Sequence, residues 1–314
     1  MGVELKAPFP WFGGKSRAAD LIWQRLGNVP NYVEPFAGSL AVLLGRPVPG
    51  KVETVNDLDG LLSNFWRAVK HAPDEVARWA DWPVSECDLH ARHLWLVGQI
   101  DGLSGRLMAD PDYCDAKIAG WWVWGLCSWI GSGWCSSDGP WRAVDGVLVK
   151  GTAGQGINRQ LPHLSTAGQG INRQGAAIAD IMQSLSYRLR NVRICCGDWQ
   201  RVTGKSVTVT NGLTGIVLDP PYLSADTAGT LYRTDSTTVA HGVREWALAN
   251  GDNPLLRIAL CGYEGEHDMP GWECIPWKAN GGYAGQGDGS NGNAARERIW
   301  FSPHCLSGRQ LGLL

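Results

Sequence analysis

Three acidic residues in this 314-residue chain stand where short apolar runs stop. They are Asp57 after Glu53-Thr54-Val55-Asn56, Asp198 after Ile194-Cys195-Cys196-Gly197, and Asp219 after Gly215-Ile216-Val217-Leu218. Asp219 has the most distinctive company, because Pro220, Pro221 and Tyr222 follow it. Within four residues the chain offers a carboxylate, a proline carbonyl and an aromatic ring: two acceptors and a stacking face. Asp-Pro is also ordinary turn chemistry, so the same residues suit a plain strand-end turn.

The elements before these acids must position them. Three branched apolar residues opened by Gly215 and stopped by two prolines predict a short strand buried on both faces. Pro220 and Pro221 cannot donate to a sheet ladder, so that strand ends at Asp219, at the carboxyl edge where open α/β sheets bind ligands. Asn31–Glu34 predicts another strand, entering the small-residue turn Phe36-Ala37-Gly38-Ser39 before a helix over Leu40–Leu44. Small residues let backbone approach a ligand, and a helix start supplies free N–H groups. Asp57 follows Gly38 by nineteen residues, the spacing at which Rossmann-like sheets place the acid for a nucleoside's ribose hydroxyls. Asp59 is expected to cap a helix over Gly60–His71 that buries Leu61, Phe65 and Val69. Gly14-Lys15-Ser16 is not a P-loop: Phe9 stands where that motif needs a glycine, and no apolar strand precedes it.

Asp219-Pro220-Pro221-Tyr222, the opening Trp11-Phe12-Gly13-Gly14-Lys15 and the Phe36–Ser39 turn together resemble the Dam-type (D12 class) DNA adenine-N6 methyltransferases, in a phage-like form. The resemblance implies an α/β fold: the Rossmann-like seven-stranded mixed sheet of S-adenosylmethionine-dependent methyltransferases, with an inserted helical recognition domain. It implies a catalytic domain over 1–72 and 176–314 and a target-recognition domain over 73–175. S-adenosylmethionine would be held by Trp11 and Lys15 at its methionine end, by Phe36, Ala37, Gly38 and Ser39, by Asp57, by Asp198 and Trp199 around its adenine, and beside Asp219. The substrate would be double-stranded DNA with a flipped-out adenine. Asp219 and Pro220 would accept from its amino group, Tyr222 would stack on it, and Tyr232 would lie near it. Neither a metal nor a covalent intermediate is required. The family's loop carries a second glycine where this chain has Leu40. The same motif serves cytosine-N4 and RNA adenine methylation, and a catalytically silent DNA-binding relative could keep the fold. A solitary methylase and the modification half of a restriction–modification pair are both compatible with the motifs.

Composition sets bounds. Hydrophobic content of 44% and charge of 18% are globular values, and the net charge of −2 confines any DNA contact to a local basic patch. Nine cysteines without a Cys-x-x-Cys motif or a secretory signal point to reduced thiols in a cytoplasmic protein. Cys87, His90 and His93 have ligand-like spacing, but a helix over Ser85–Val97 accounts for it. Ile118–Ile130 is too short and too interrupted to span a bilayer.

Between the two halves of the α/β pattern the composition shifts to tryptophan-rich helices (Asp74–Trp79, Ser85–Val97, Cys114–Trp129) and Gly/Ser-rich loops. Thr152-Ala153-Gly154-Gln155-Gly156-Ile157-Asn158-Arg159-Gln160 recurs unchanged as Thr166 to Gln174, fourteen residues on. Asn, Arg and Gln suit bidentate contacts to bases and phosphate, so Arg159 and Arg173, with Arg142 upstream, are the candidate DNA contacts; a hairpin facing solvent without a partner is the alternative. Replacing both Arg159 and Arg173 by alanine should weaken DNA binding and flatten its dependence on salt, measured by titration at several ionic strengths; unchanged affinity removes the assignment.

Overall fold

Five short strands form the parallel heart of a seven-stranded sheet. The computed structural model describes residues 5–11, 13–129, 133–135, 141–144, 147–150, 178–222, 236–277 and 296–307. With elements numbered in chain order, β5 (Val192–Cys196), β2 (Val52–Asp57), β1 (Asn31–Glu34), β6 (Thr214–Leu218) and β7 (Leu256–Tyr263) lie side by side and parallel. β9 (Glu297–Phe301) runs antiparallel to β7, and β8 (Glu273–Pro276) closes the edge antiparallel to β9. This is the mixed α/β sheet that the resemblance implies. A separate hairpin pairs β3 (Trp141–Val144) with β4 (Val147–Lys150); the Asp145-Gly146 pair that stands between them in the sequence is a strong local signal for such a turn.

Every residue of β1 and β6 is buried, the polar Asn31, Glu34 and Thr214 included, as the inner positions of a sheet covered on both faces require. Their side chains alternate between the two faces. Val33, Ile216, Leu218, Ile258, Leu260 and Trp300 join Val243 and Ala247 of α10 (Ser236–Asn250). Tyr32, Val55, Val217, Ala259, Ile299 and Phe301 face the other layer, with α1 (Ala19–Leu26), α3 (Gly60–His71) and α8 (Ile178–Leu189). Gly215 is required by that second layer, because a Cβ there would lie 3.0 Å from Val29 Cγ2 and 3.3 Å from Leu26 Cδ1.

Asp59 caps α3 as expected, accepting from the N–H groups of Leu61 and Leu62, and Leu61, Phe65 and Val69 are buried. The helices α4 (Pro73–Ala80), α5 (Glu86–Ile100), α6 (Leu103–Ala109) and α7 (Ala116–Ser128) follow. Their apolar faces share one core with α3: Phe9, Phe65, Trp66 and Trp122 meet with ring centroids 4.9–5.6 Å apart. His93 is part of this packing. Its ring stacks on Trp129 at 4.9 Å, Nδ1 accepts from the Cys135 N–H, and burial pushes its pKa down to about 4. Cys87, by contrast, is exposed. No helix among the described residues is long and apolar enough to cross a membrane.

Leu40, the residue that replaces the second glycine, adopts the left-handed conformation a glycine would favour, with φ 55° and ψ 25°. Its side chain is fully buried, so core packing offsets a strain of roughly 1–2 kcal/mol. Truncation should therefore invert a familiar order. Both Leu40→Ala and Leu40→Gly should lose about 2–5 kcal/mol through lost burial, but the glycine variant should be the more stable of the two by about 1 kcal/mol in denaturant unfolding.

Candidate active site

Parallel pairing brings the carboxyl ends of β5, β2, β1 and β6 to one edge of the sheet, and with them Asp198, Asp57, Glu34 and Asp219. From β1 the chain continues to β2 on one side, whereas β6 leads to β7 on the other, so the strand order reverses between β1 and β6. Open sheets bind ligands at that crevice. Asn56 ties the edge together: its carboxamide donates to Pro35 O at 3.1 Å and Gly197 O at 2.9 Å, bridging the loops after β1 and β5.

The small-residue turn folds against Asp57. Gly38 N–H donates to Asp57 Oδ2 at 3.0 Å, Asp59 N–H donates to Oδ1 at 3.0 Å, and Ala37 N–H donates to Asn56 O. Burial pushes the Asp57 carboxyl up to about 6, and these two N–H donors pull against that rise. Trp11 lies on the turn so closely that a Cβ on Gly38 (φ +48°) would sit 2.7 Å from its Nε1, while Trp66 Nε1 donates to Gly38 O. Here glycine serves both the backbone angle and the close approach. Ser39 is buried beside Gly14. Phe36 stacks on Trp199 at 6.2 Å, and Trp199 is itself buried against Trp246. Asp198 accepts from Gln200 N–H at the start of a short helix, α9 (Gln200–Thr203).

Around Asp219 a second group assembles. Lys15 is buried, with its ammonium 2.8 Å from Asp219 Oδ2 and donating to Gly13 O at 2.8 Å. Burial opposes that charge, but Asp219, Cys261 and Glu297 outweigh it and hold the Lys15 pKa above its ordinary value. The Tyr222 hydroxyl lies 3.1 Å from Asp219 Oδ1 and 3.0 Å from Glu297 Oε2. Its half-buried ring has Lys15 Nζ 5.1 Å from the centroid and Tyr263 edge-on at 4.6 Å. Pro220 is buried directly behind Asp219.

Two carboxyl groups of this site escape sequence reading. Glu34 ends β1 and accepts from the Tyr32 hydroxyl at 2.9 Å. Burial pushes it up to about 8, and the charges of both Asp219 and Asp57 reach it, which links the two groups of the edge. The signal for Glu34 was present, since it ends an apolar run as Asp57 and Asp219 do. Glu297 had none: it reaches the site only because β9 pairs with β7 in a register that sets it opposite Tyr263. Tyr232, Arg159 and Arg173 lie outside the described residues, as does the side chain of Arg142 in β3. Among the described residues no cluster of His, Cys, Asp or Glu could hold a metal ion.

Residues 11–80 match the family model of the D12 class N6 adenine-specific DNA methyltransferases. The matched stretch begins at Trp11, contains Lys15, the Phe36–Ser39 turn and Asp57, and ends with α4. It connects the chain to methyltransferases that act on adenine in DNA. No curated protein matches the chain.

The raised Glu34 carboxyl carries a pH signature for this edge of the sheet. Between its usual value near 4.5 and about 8, the folded protein holds a proton that the unfolded chain has released, so stability falls as pH rises through that window. The slope is about 1.4 kcal/mol per pH unit. Glu34→Gln should remove this loss, so its melting temperature should overtake that of the wild type above pH 8; parallel curves for the two proteins would show that Glu34 is ionised throughout.

Proposed function

We propose that the chain is a DNA adenine-N6 methyltransferase that uses S-adenosylmethionine. The observation that carries this reading is the placement of Asp219 at the sheet's switch point, paired with Lys15 and Tyr222, on the same edge as a nucleoside-type acid, Asp57.

The residues at this edge fit such a cofactor. Asp57 keeps free lone pairs beyond its two N–H donors, which suits two ribose hydroxyls. A side chain at Gly38 would collide with Trp11, so glycine is what lets the indole close on the turn beside Asp57. Asp198 would accept from the adenine amino group, with Phe36 backed by Trp199 beside it and Trp11, Ala37 and Ser39 lining the turn. Bound there, the cofactor supplies an electrophilic methyl group on a sulfonium.

The chain's own contribution is positional and electrostatic. An exocyclic amine is a weak nucleophile because its lone pair is delocalised into the ring. Asp219 and the Pro220 carbonyl accept from its two N–H bonds and favour a nitrogen whose lone pair is localised. Lys15 holds Asp219 by one oxygen and Tyr222 by the other, which fixes the carboxylate plane. The half-buried Tyr222 ring offers a surface for an extruded base. Positive charge that develops on the nitrogen is met by Asp219, and the excess proton leaves after transfer. Residues 73–175, with Arg142, Arg159 and Arg173, would read the duplex, and Tyr232 would approach the flipped base.

The test is nucleoside analysis of double-stranded DNA incubated with the protein and methyl-labelled S-adenosylmethionine. N6-methyladenine is the expected product; label in N4-methylcytosine, or in RNA only, would redirect the substrate, and no label would indicate a silent relative. Asp219→Ala should keep cofactor binding by calorimetry while turnover drops by about two to three orders of magnitude, in the range seen when a preorganised acceptor or donor is lost.

A further inference from the structure

The Tyr222 hydroxyl lies between two carboxyl groups, 3.1 Å from Asp219 Oδ1 and 3.0 Å from Glu297 Oε2. Both are hydrogen-bonding distances, and each contact needs a hydrogen of its own. A phenol supplies one hydrogen, which points along one direction only. The second must come from a carboxyl group. Asp219 is the anionic partner of the Lys15 ammonium at 2.8 Å, whereas no ion pair of Glu297 is seen among the described residues. Glu297 is buried at the start of β9, facing Lys15 from the N-terminal segment, Asp219 and Tyr222 from the end of β6, and Cys261, Tyr263 and Glu266 from β7 and the turn after it. One lysine cannot balance two adjacent carboxylates in such a place.

We infer that Glu297 is a positioning residue held as a neutral carboxylic acid, which donates to Tyr222 Oη and so commits the tyrosine's only hydrogen to Asp219. Glu297 therefore acts through Tyr222 and touches no reacting atom. The relay orients Asp219 Oδ1 and pins the Tyr222 ring at the same time. Burial pushes the Glu297 carboxyl upward, with Asp219 adding to the rise and Lys15 opposing it, in the direction a neutral acid requires. The role in methyl transfer rests on the function proposed above; the protonation state does not.

Infrared difference spectroscopy of the full-length wild-type protein against Glu297→Gln tests the protonation state without DNA or cofactor. At neutral pH the wild type should show the carbonyl stretch of a protonated acid, shifted in a Tyr222→Phe background. A pair of carboxylate stretches assigned to Glu297 overturns the inference. Because this arm needs no activity, it remains readable if the chain methylates nothing, and the two readings fail separately. In single-turnover methylation, Glu297→Gln, whose amide can still donate, should stay within about threefold of the wild type, whereas Glu297→Ala should lose about tenfold in rate with cofactor affinity unchanged, the worth of one hydrogen bond. A glutamine variant as impaired as the alanine variant would mean that the charge of Glu297 is what matters, and would refute its neutrality.

Discussion

A buried ammonium governs this structure. Lys15 is almost wholly removed from water, and a lone charge in that position would cost several kcal/mol. Its compensation comes from Asp219 in contact at the end of β6 and from the Gly13 carbonyl. Asp219 is more than two hundred residues away in the chain, so the ammonium finds its partner only where the sheet has brought β6 beside the N-terminal segment. The pairing also limits where the opening residues can go: Gly13 turns its carbonyl onto the same ammonium, and Trp11 is laid against the turn after β1.

The rest of the edge obeys a different rule, that of the parallel strand end. Carboxyl groups at the ends of β1, β2 and β6 are kept apart by strand spacing and held by backbone donors where they are nearest. Asn56 has a role out of proportion to its position inside a strand, since one carboxamide joins the loops after β1 and β5 across β2. Three raised carboxyl groups, at Glu34, Asp57 and Glu297, are chiefly the cost of burying acids at one edge, with their neighbours' charges adding to it.

Much of this was legible in the residues. The buried runs of β1 and β6, the cap at Asp59, the stop at Pro220 and the acid at Asp57 are local signals, and local physics produces them. The bounds of α10, Ser236–Asn250, were not legible, because its polar ends carry no periodicity to mark them. Elements that depend on distant partners were not legible: α6, and the arrival of Glu297 through the pairing of β9 with β7. The tryptophans of the middle segment gave no hint of which would join the common core. Trp122 does, because α7 packs across α3 and Gly120 lets it close on Trp79, where a Cβ would stand 2.4 Å from the Trp79 Cβ. Leu40 is the opposite case, a residue that looked like a departure from a pattern and kept the backbone shape of the pattern.

Trp66 has one consequence for motion. Its ring belongs to the cluster with Phe9, Phe65 and Trp122, and its indole N–H holds the Gly38 carbonyl. A close-packed aromatic cluster has little slack. A tilt of α7 against α3 therefore cannot be absorbed between them, and the indole works as a lever arm that passes the displacement to the turn beside Asp57.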